Sequence, residues 1–305
     1  MVRIAMPVPS VLCRNLKGLR QFVQITHVYV GQLCNQCPNF SWPGLCSSII
    51  RGVSKYMRIK ILSYNIHKGF DWNNRNYGLQ EMKDLIQASE AEIVFLQEVV
   101  GKNENLKEKG LIDSQFEFLA DEVWPHFSYA QNALYDHGHH GNLILSKYPI
   151  ETFENINIST NKWEKRGMLV CKIKIPVTED NPKEKSLFAA CLHLNLLHSG
   201  RKIQYEKIRD YITTKSEKED LPFIVAGDFN DWNQKSFHVF EKMLGMQEVH
   251  KSANGSFART FPSNVPILCL DRIYVKNLEV INSHVVFYDQ HLSDHLPIFC
   301  EVDIS

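Results

Sequence analysis

Short apolar runs that end in polar, titratable residues constrain the fold of this chain more than any other feature of its sequence. The polar residues at or just beyond the ends of these runs are Asn65, Glu98, His193, Asp228, Asn230, Asp271, Asp294 and His295. Apolar runs of this length, bounded by turn residues, are typical of buried strands, and the run Ile267–Leu270 predicts one that ends at Asp271. A single Asp or His at such an end is commonly a cap or turn residue. Their recurrence along the chain therefore points to one shared site.

Amphipathic helical patterns separate these predicted strands. Apolar residues recur at helical spacing in three stretches, namely Leu79 to Ile86, Ile203 to Ile212 and Phe237 to Leu244. Strands that alternate with such helices predict an α/β layered architecture with the helices outside the sheets.

Composition excludes several classes of protein. The chain has 305 residues, and its 34 Lys and Arg residues balance 34 Asp and Glu residues. No stretch approaches the roughly 18 consecutive apolar residues of a membrane-spanning helix. A net charge of zero also argues against a strongly basic nucleic-acid binder. Four cysteines in residues 57–305 do not suggest a disulfide scaffold, so we expect a reducing, cytoplasmic environment.

Residues 1–56 differ in character from the rest of the chain. They hold six basic residues and no acidic one, which leaves 28 basic and 34 acidic residues in 57–305, a net charge of −6. An organellar transit peptide has such a composition. Cys34, Cys37 and Cys46 could form part of a zinc site, but a fourth regularly spaced ligand is missing. The simplest interpretation is a non-essential, irregular extension at 1–56 and a functional domain at 57–305.

The types of polar residue limit the chemistry. Carboxylate and amide oxygens are hard ligands that suit Mg²⁺, Mn²⁺ or Ca²⁺. The sequence contains neither a His-Glu-x-x-His zinc motif nor a Gly-x-x-x-x-Gly-Lys phosphate loop. Two histidines among acids, with a divalent cation, suit an activated water that attacks a phosphate ester.

Seven ordered motifs in residues 57–305 resemble those of the endonuclease/exonuclease/phosphatase superfamily, which includes deoxyribonuclease I. They are Ser63–His67, Leu96–Val99, Gly141–Lys147, Cys191–Leu194, Gly227–Asn230, Leu270–Ile273 and Ser293–His295. The chain is also similar to an uncharacterised bacterial branch of this superfamily. The motifs that mark this branch are Asn65–Gly69, Gly138–Asn142 and Ala258–Pro262.

The resemblance implies a fold and a metal site. The expected fold is a four-layer α/β/β/α sandwich of two mixed β-sheets with helices outside. Glu98 would be the main ligand of Mg²⁺, with Mn²⁺ as an alternative ion, and Asn65 would lie beside it. Asp294 would lie near the cation. His67 falls where some relatives have an acidic residue, which leaves the number of metal ions open.

The resemblance also implies catalytic roles. Asp228 would orient or deprotonate the attacking water, and Asn230 would hold water and phosphate in line. His295, oriented by Asp271, would contact the scissile phosphate. His193 would donate to a phosphate oxygen or to the leaving group. Preorganised donors of this kind stabilise the extra negative charge of the transition state.

Further residues are weaker candidates. Asn142 and Arg166 match positions near the phosphate and are predicted to bind substrate, although a turn residue and a surface arginine are equally simple interpretations. His137, His139 and His140, beside Asp136, are typical of a solvated loop. The segment Arg259–Pro262 either lines the substrate mouth or begins a strand.

The substrate is less constrained than the reaction. We expect a Mg²⁺-dependent phosphodiesterase of nuclease type, with a lipid-headgroup enzyme (sphingomyelinase-like or phosphoinositide-directed) as the alternative. The expected binding partner is nucleic acid or a phospholipid headgroup. We also expect a monomer that needs no obligate protein partner. A non-catalytic binding domain on the same fold is a further alternative, although Glu98, Asp228 and His295 are all present. A zinc-binding module in residues 1–56 is the most distant possibility.

Overall fold

The computed structural model of the protein describes residues 57–304 apart from positions 109, 113, 121–122, 163, 177–184 and 289–291. The interpretations offered for residues 1–56, including the zinc site, lie outside these residues.

The first sheet has six strands in the order β11-β12-β1-β2-β4-β3. Strands β1 and β2 are parallel, and the other neighbours in this sheet are antiparallel. The strands are β1 (Met57–Asn65), β2 (Ile93–Asn103), β3 (His126–Tyr135), β4 (Gly138–Ser146), β11 (Glu279–Val285) and β12 (Ile298–Ile304).

The second sheet also has six strands, in the order β5-β6-β7-β8-β10-β9. Strands β7 and β8 are parallel, and the remaining pairs are antiparallel. The strands are β5 (Ile150–Asn157), β6 (Gly167–Ile175), β7 (Lys185–His193), β8 (Phe223–Asp228), β9 (Gln247–Glu248) and β10 (Asp271–Lys276).

The described α-helices are short apart from one. They are α1 (Leu79–Ala88), α2 (Glu104–Glu108), α3 (Gln115–Ala120), α4 (His198–Lys218) and α5 (Val249–Asn254). A 3₁₀ turn covers His67–Gly69. The stretch from Phe237 to Leu244, predicted to be helical, contains a π-helix at His238–Met243.

Three apolar clusters separate four layers. The central cluster joins the inner faces of both sheets and contains Ile61, Phe95 and Ile273. A second cluster packs α4, through Ile208 and Ile212, against the second sheet. A third packs α1, through Met82 and Ile86, against the first sheet. The predicted four-layer α/β/β/α sandwich is confirmed.

The topology brings the polar strand ends together at one end of the sandwich. Because β1 and β2 are parallel, Asn65 and Glu98 lie near the same edge of the first sheet. Because β7 and β8 are parallel, His193 is directly opposite Asp228 in the second sheet. Asp271 begins the antiparallel strand β10 opposite Asp228.

One predicted strand boundary is wrong. The run Ile267–Leu270 was expected to be a strand that ends at Asp271, but Asp271 is instead the first residue of β10. Ile267 is 62% exposed, and Leu268 forms only an isolated bridge with Phe261. The apolar run lies in a loop. Among the described residues it has no partner strand with which to form a ladder of backbone hydrogen bonds, so its hydrophobic composition alone does not make it a strand.

Within the described residues, none of the helices combines the length and the apolar character needed to cross a membrane.

Glu248, in β9, gives a test of the packing of the second sheet. Its carboxylate accepts a 2.6 Å hydrogen bond from the backbone N–H of Lys251 in α5, and its other oxygen is buried without a hydrogen-bond partner. Burial raises the pKa of Glu248 to about 7, although the nearby charge of Arg272 opposes the shift. The folded protein therefore holds this proton more tightly than the unfolded chain does.

We predict that this group stabilises the wild type below pH 4.5 and that this contribution is lost as the pH rises through 7, a change of up to about 3 kcal/mol. Glu248→Gln should remove this pH dependence. Urea unfolding of both proteins between pH 4.5 and pH 8 measures it, with the exposed Glu81→Gln as the control. Parallel stability curves for wild type and Glu248→Gln would contradict the prediction.

Candidate active site

The buried carboxylate of Asp228 lies at the centre of the polar cluster. Its Oδ2 accepts a 3.2 Å hydrogen bond from Asn65 Nδ2 and lies 3.3 Å from His193 Nε2 and 3.7 Å from His295 Nε2. Its Oδ1 accepts the backbone N–H of Asn230 at 2.8 Å. A single carboxylate thus holds together residues from both sheets.

Gly227 explains why β8 can present Asp228 in this way. Its φ is 143°, and a Cβ atom there would lie 1.9 Å from the carbonyl oxygen of Leu192. Only glycine allows β8 to approach β7 this closely at the position directly before Asp228.

A hydrogen-bonded pair, His295 and Asp271, lies beside Asp228. The two side chains are joined by a 2.8 Å hydrogen bond between His295 Nδ1 and Asp271 Oδ2. Thr260 Oγ1 donates to the same carboxylate oxygen, and the ring of Phe261 lies 4.9 Å from that of His295. Residues of the Ala258–Pro262 motif therefore contact both members of this pair and help to hold them in place.

The two histidines differ in charge. Burial tends to lower the pKa of His295, but the carboxylates of Asp271 and Asp228 outweigh it and raise that pKa to about 10. Burial, with the charge of Arg166, lowers the pKa of His193 well below its ordinary value. Burial raises the pKa of Asp228 to about 7, opposed by His295. At neutral pH the site therefore combines an imidazolium at His295 with a neutral imidazole at His193.

Glu98 occupies an irregular point of β2. Its φ is 58°, and the register between β2 and β4 shifts between Leu96 and Val99. A bulge of this kind redirects a side chain out of a regular ladder. Burial tends to raise the pKa of Glu98, but His193 and Lys68 outweigh it and hold the pKa below its ordinary value. The side chain is therefore an ionised carboxylate, paired with Lys68 Nζ at 2.7 Å.

Among the described residues, two groups could hold a metal ion. In the first, single ligand atoms of Asp228, Asp271 and His295 lie within 4.8 Å of one another. In that group His295 Nδ1 is already hydrogen-bonded to Asp271 Oδ2, so a metal ion there would have to replace this bond or bind through the other atoms.

The second group is Glu98 with Asn65. Glu98 is ionised, and Asn65 Oδ1 accepts only a 3.1 Å hydrogen bond from the backbone N–H of His67 among the described contacts. Oxygens of this kind are ligands that suit Mg²⁺ or Mn²⁺.

The structure brings most of the predicted site residues into this cluster. Asn230 lies against it, with its Nδ2 donating to the carbonyl of Leu194 at 3.1 Å. Asp294 lies at its edge, with Oδ1 3.7 Å from His67 Nδ1. Arg166 is 17% exposed and pairs with Glu164 at 2.9 Å, while its charge influences His193.

Asn142 connects the two sheets. It is buried in β4, and its Nδ2 donates to the carbonyl oxygens of Gly167 and Cys191 at 3.0 and 3.1 Å. Both amide hydrogens are thus engaged by backbone, so Asn142 fixes the first sheet against the second. Substrate binding by Asn142 and Arg166 stays a prediction.

Some residues beside the site were given no individual role from the sequence. Thr260 donates to Asp271, Ser293 Oγ donates to the backbone carbonyl of Asn65 at 2.8 Å, and Lys68 pairs with Glu98. Lys68 and Thr260 fall inside the motifs that mark the bacterial branch, which is the signal that could have identified them. His140, expected in a solvated loop, is instead in β4 and lies near Glu98.

Comparison with known proteins agrees with this geometry. The sequence matches the Endonuclease/Exonuclease/phosphatase family over residues 62–295. It is 42% identical over 250 residues to YbhP of Escherichia coli K12, a protein described as uncharacterised, covering 80% of this chain and 96% of YbhP.

Solved structures share the fold. One is an endonuclease/exonuclease/phosphatase from Beutenbergia cavernae, with TM-score 0.67 and 14% identity, covering 81% of this chain and 72% of that one. Another is a mannosyl-6-phosphatase from Bacteroides thetaiotaomicron, with TM-score 0.60 and 17% identity, covering 80% and 99%.

Members of this family are hydrolases that act on phosphate esters. The family match covers well over half of the sequence, and the sequence resemblance is confirmed. The chain belongs to the endonuclease/exonuclease/phosphatase family.

Proposed function

We propose that this protein is a metal-dependent phosphodiesterase that cleaves its substrate by attack of water on phosphorus, with nucleic acid as the first candidate substrate. The observation that carries the proposal is the arrangement around Asp228. A carboxylate with a pKa of about 7 lies between a neutral histidine and a protonated one. A proton acceptor and a proton donor are thus within one small site.

Each residue has a distinct role in this proposal. Asp228 accepts a proton from the attacking water, which its raised pKa favours near neutral pH. Asn230, held by Leu194, positions that water. His295 donates a proton to the leaving oxygen or neutralises the phosphoryl group, and Asp271 fixes its orientation. His193 donates a hydrogen bond from its neutral ring.

Glu98 and Asn65 would hold Mg²⁺ or Mn²⁺, with Asp294 near it. When bound, such a cation supplies charge neutralisation of the phosphoryl oxygens.

The charges around the site favour a diester over a monoester or polyphosphate. Among the described residues, two cationic side chains beside the cluster, Lys68 and Arg166, are paired with the carboxylates of Glu98 and Glu164. Little uncompensated positive charge remains for a dianionic group. A monoanionic phosphodiester matches this balance.

A substrate panel tests the proposal. The full chain with Mg²⁺ should hydrolyse bis-p-nitrophenyl phosphate faster than p-nitrophenyl phosphate, and EDTA should abolish the reaction. Plasmid DNA and phospholipid vesicles then separate the substrate classes. A preference for the monoester would contradict the assignment of a diester.

A second candidate is a phosphodiester with an apolar portion, such as a phospholipid. Many exposed large apolar side chains lie in the loops at the catalytic end of the sandwich: Trp72, Leu196, Leu197, Trp232, Val265 and Ile267. An apolar rim of this kind is typical of an interaction site. Leu197→Ser should then slow hydrolysis of vesicles and leave bis-p-nitrophenyl phosphate unaffected, whereas equal effects on both would contradict this candidate.

The role of Glu98 gives a first prediction. Glu98→Ala should lose metal-dependent hydrolysis and remain folded, because the side chain is a partly exposed ion-pair member and does not pack in the core. Activity and thermal unfolding are measured together, with the exposed Glu117→Ala as the control. Full activity in Glu98→Ala would remove Glu98 from the metal site.

The role of His295 gives a second prediction. His295→Ala should lower the rate by roughly 10²–10⁴-fold, the usual contribution of an acid–base group. His284→Ala, the same change at an exposed histidine on β11, should leave the rate unchanged. Steady-state kinetics on one soluble diester measures both, and a loss below about tenfold would exclude His295 as the proton donor.

A further inference from the structure

Lys68 and Glu98 form an ion pair at the edge of the site. The Lys68 ammonium donates to Glu98 Oε2 at 2.7 Å, and the side chains are 39% and 16% exposed. The oxygen that Lys68 occupies belongs to the carboxylate proposed to bind the metal.

The backbone at both residues is held in an unfavourable conformation. Lys68 has φ 57° and ψ 23°, and Glu98 has φ 58°, which is the left-handed region that non-glycine residues rarely adopt. Such conformations persist only where the surroundings impose them, and they cluster at functional sites.

Gln115 imposes this geometry from the other side. This fully buried residue donates from Nε2 to the carbonyl of Lys68 at 2.7 Å and accepts the N–H of Val100 at 2.8 Å. It thereby ties the turn of Lys68 to β2, two residues beyond Glu98. The fold therefore fixes the backbone positions of both Lys68 and Glu98.

Stability does not account for the pair. The Lys68 ammonium is 39% exposed, so water screens its charge, and its long side chain loses conformational freedom when it pairs. A weak pair does not offset two unfavourable backbone conformations. A role in the site is the better explanation.

Among the described residues, Lys68 is the cation that donates a hydrogen bond to Glu98, at 2.7 Å. His193 and His140 also lie near the carboxylate, and burial lowers the pKa of both rings. A metal ion that binds Glu98 would therefore have to compete with Lys68 for the carboxylate.

We infer that Lys68 is an internal counter-cation, which occupies the Glu98 carboxylate and which a divalent metal must displace. Lys68 thereby weakens metal binding, since an ammonium and a divalent cation repel one another at the same carboxylate. The inference rests on the proposed function, which assigns Glu98 to the metal.

The test measures metal binding directly, without turnover. Mn²⁺ is titrated into the metal-free full chain, and free Mn²⁺ is followed by electron paramagnetic resonance. Lys68→Met should lower the Mn²⁺ dissociation constant roughly tenfold, the order expected when a like charge next to the ion is removed. Lys68→Gln should act in the same direction, and it serves where Lys68→Met does not fold. Lys68→Arg keeps the charge and should bind as the wild type does.

Lys102→Met is the matched control. Lys102 lies on β2, the strand that also contains Glu98, and pairs with the exposed Glu104 at 3.2 Å. The Lys102→Met substitution removes the same charge outside the site. The affinity of this variant for Mn²⁺ should therefore stay within about twofold of wild type.

The outcomes separate this inference from the proposed function. If Glu98→Gln abolishes binding but Lys68→Met binds no more tightly than wild type, Lys68 is not a competitor and the assignment of Glu98 stands. If Glu98→Gln binds Mn²⁺ as well as wild type does, the metal lies elsewhere and both ideas fall. Tighter binding in Lys68→Met that disappears in the double variant with Glu98→Gln supports both.

Discussion

The placement of a buried carboxylate, Asp228, between the two sheets is the constraint on which the rest of the site depends. Burial of an ionisable group is tolerated only where other polar groups satisfy it. Asn65 from the first sheet, His193 and the N–H of Asn230 from the second, and the nearby imidazolium of His295 do so. These contacts hold the polar groups of both sheets around one carboxylate, while burial, opposed by the charge of His295, raises the pKa of Asp228 to about 7.

The same constraint divides the site into two halves. On one side the Asp271–His295 pair, supported by Thr260, carries a proton and a positive charge. On the other side Glu98 is ionised and paired with the Lys68 ammonium at 2.7 Å. The proposed attack of water on a phosphodiester needs both proton transfer and neutralisation of charge, and the two halves would supply one each.

Much of this could be predicted from the sequence, because apolar runs report burial and the motifs report strand ends. The layered α/β architecture and a shared site at the strand ends followed from these patterns, and the resemblance to the family implied the four-layer sandwich. The strand at Ile267–Leu270 was wrong, since an apolar run does not reveal whether a partner strand is present. The Lys68–Glu98 pair was missed because it depends on left-handed backbone at two ordinary residues, which no hydrophobic pattern encodes. Thr260 was missed because only the tertiary fold brings it to Asp271.

The position of the metal tests the central claim most directly. Crystals of the full chain soaked in Mn²⁺ and measured at the manganese absorption edge would locate the ion by its anomalous signal. The account predicts a peak at the Glu98 carboxylate, beside Asn65, with the Lys68 ammonium moved away from it. A peak among Asp228, Asp271 and His295 instead, with Lys68 still on Glu98, would contradict both the division of the site and the role of Glu98.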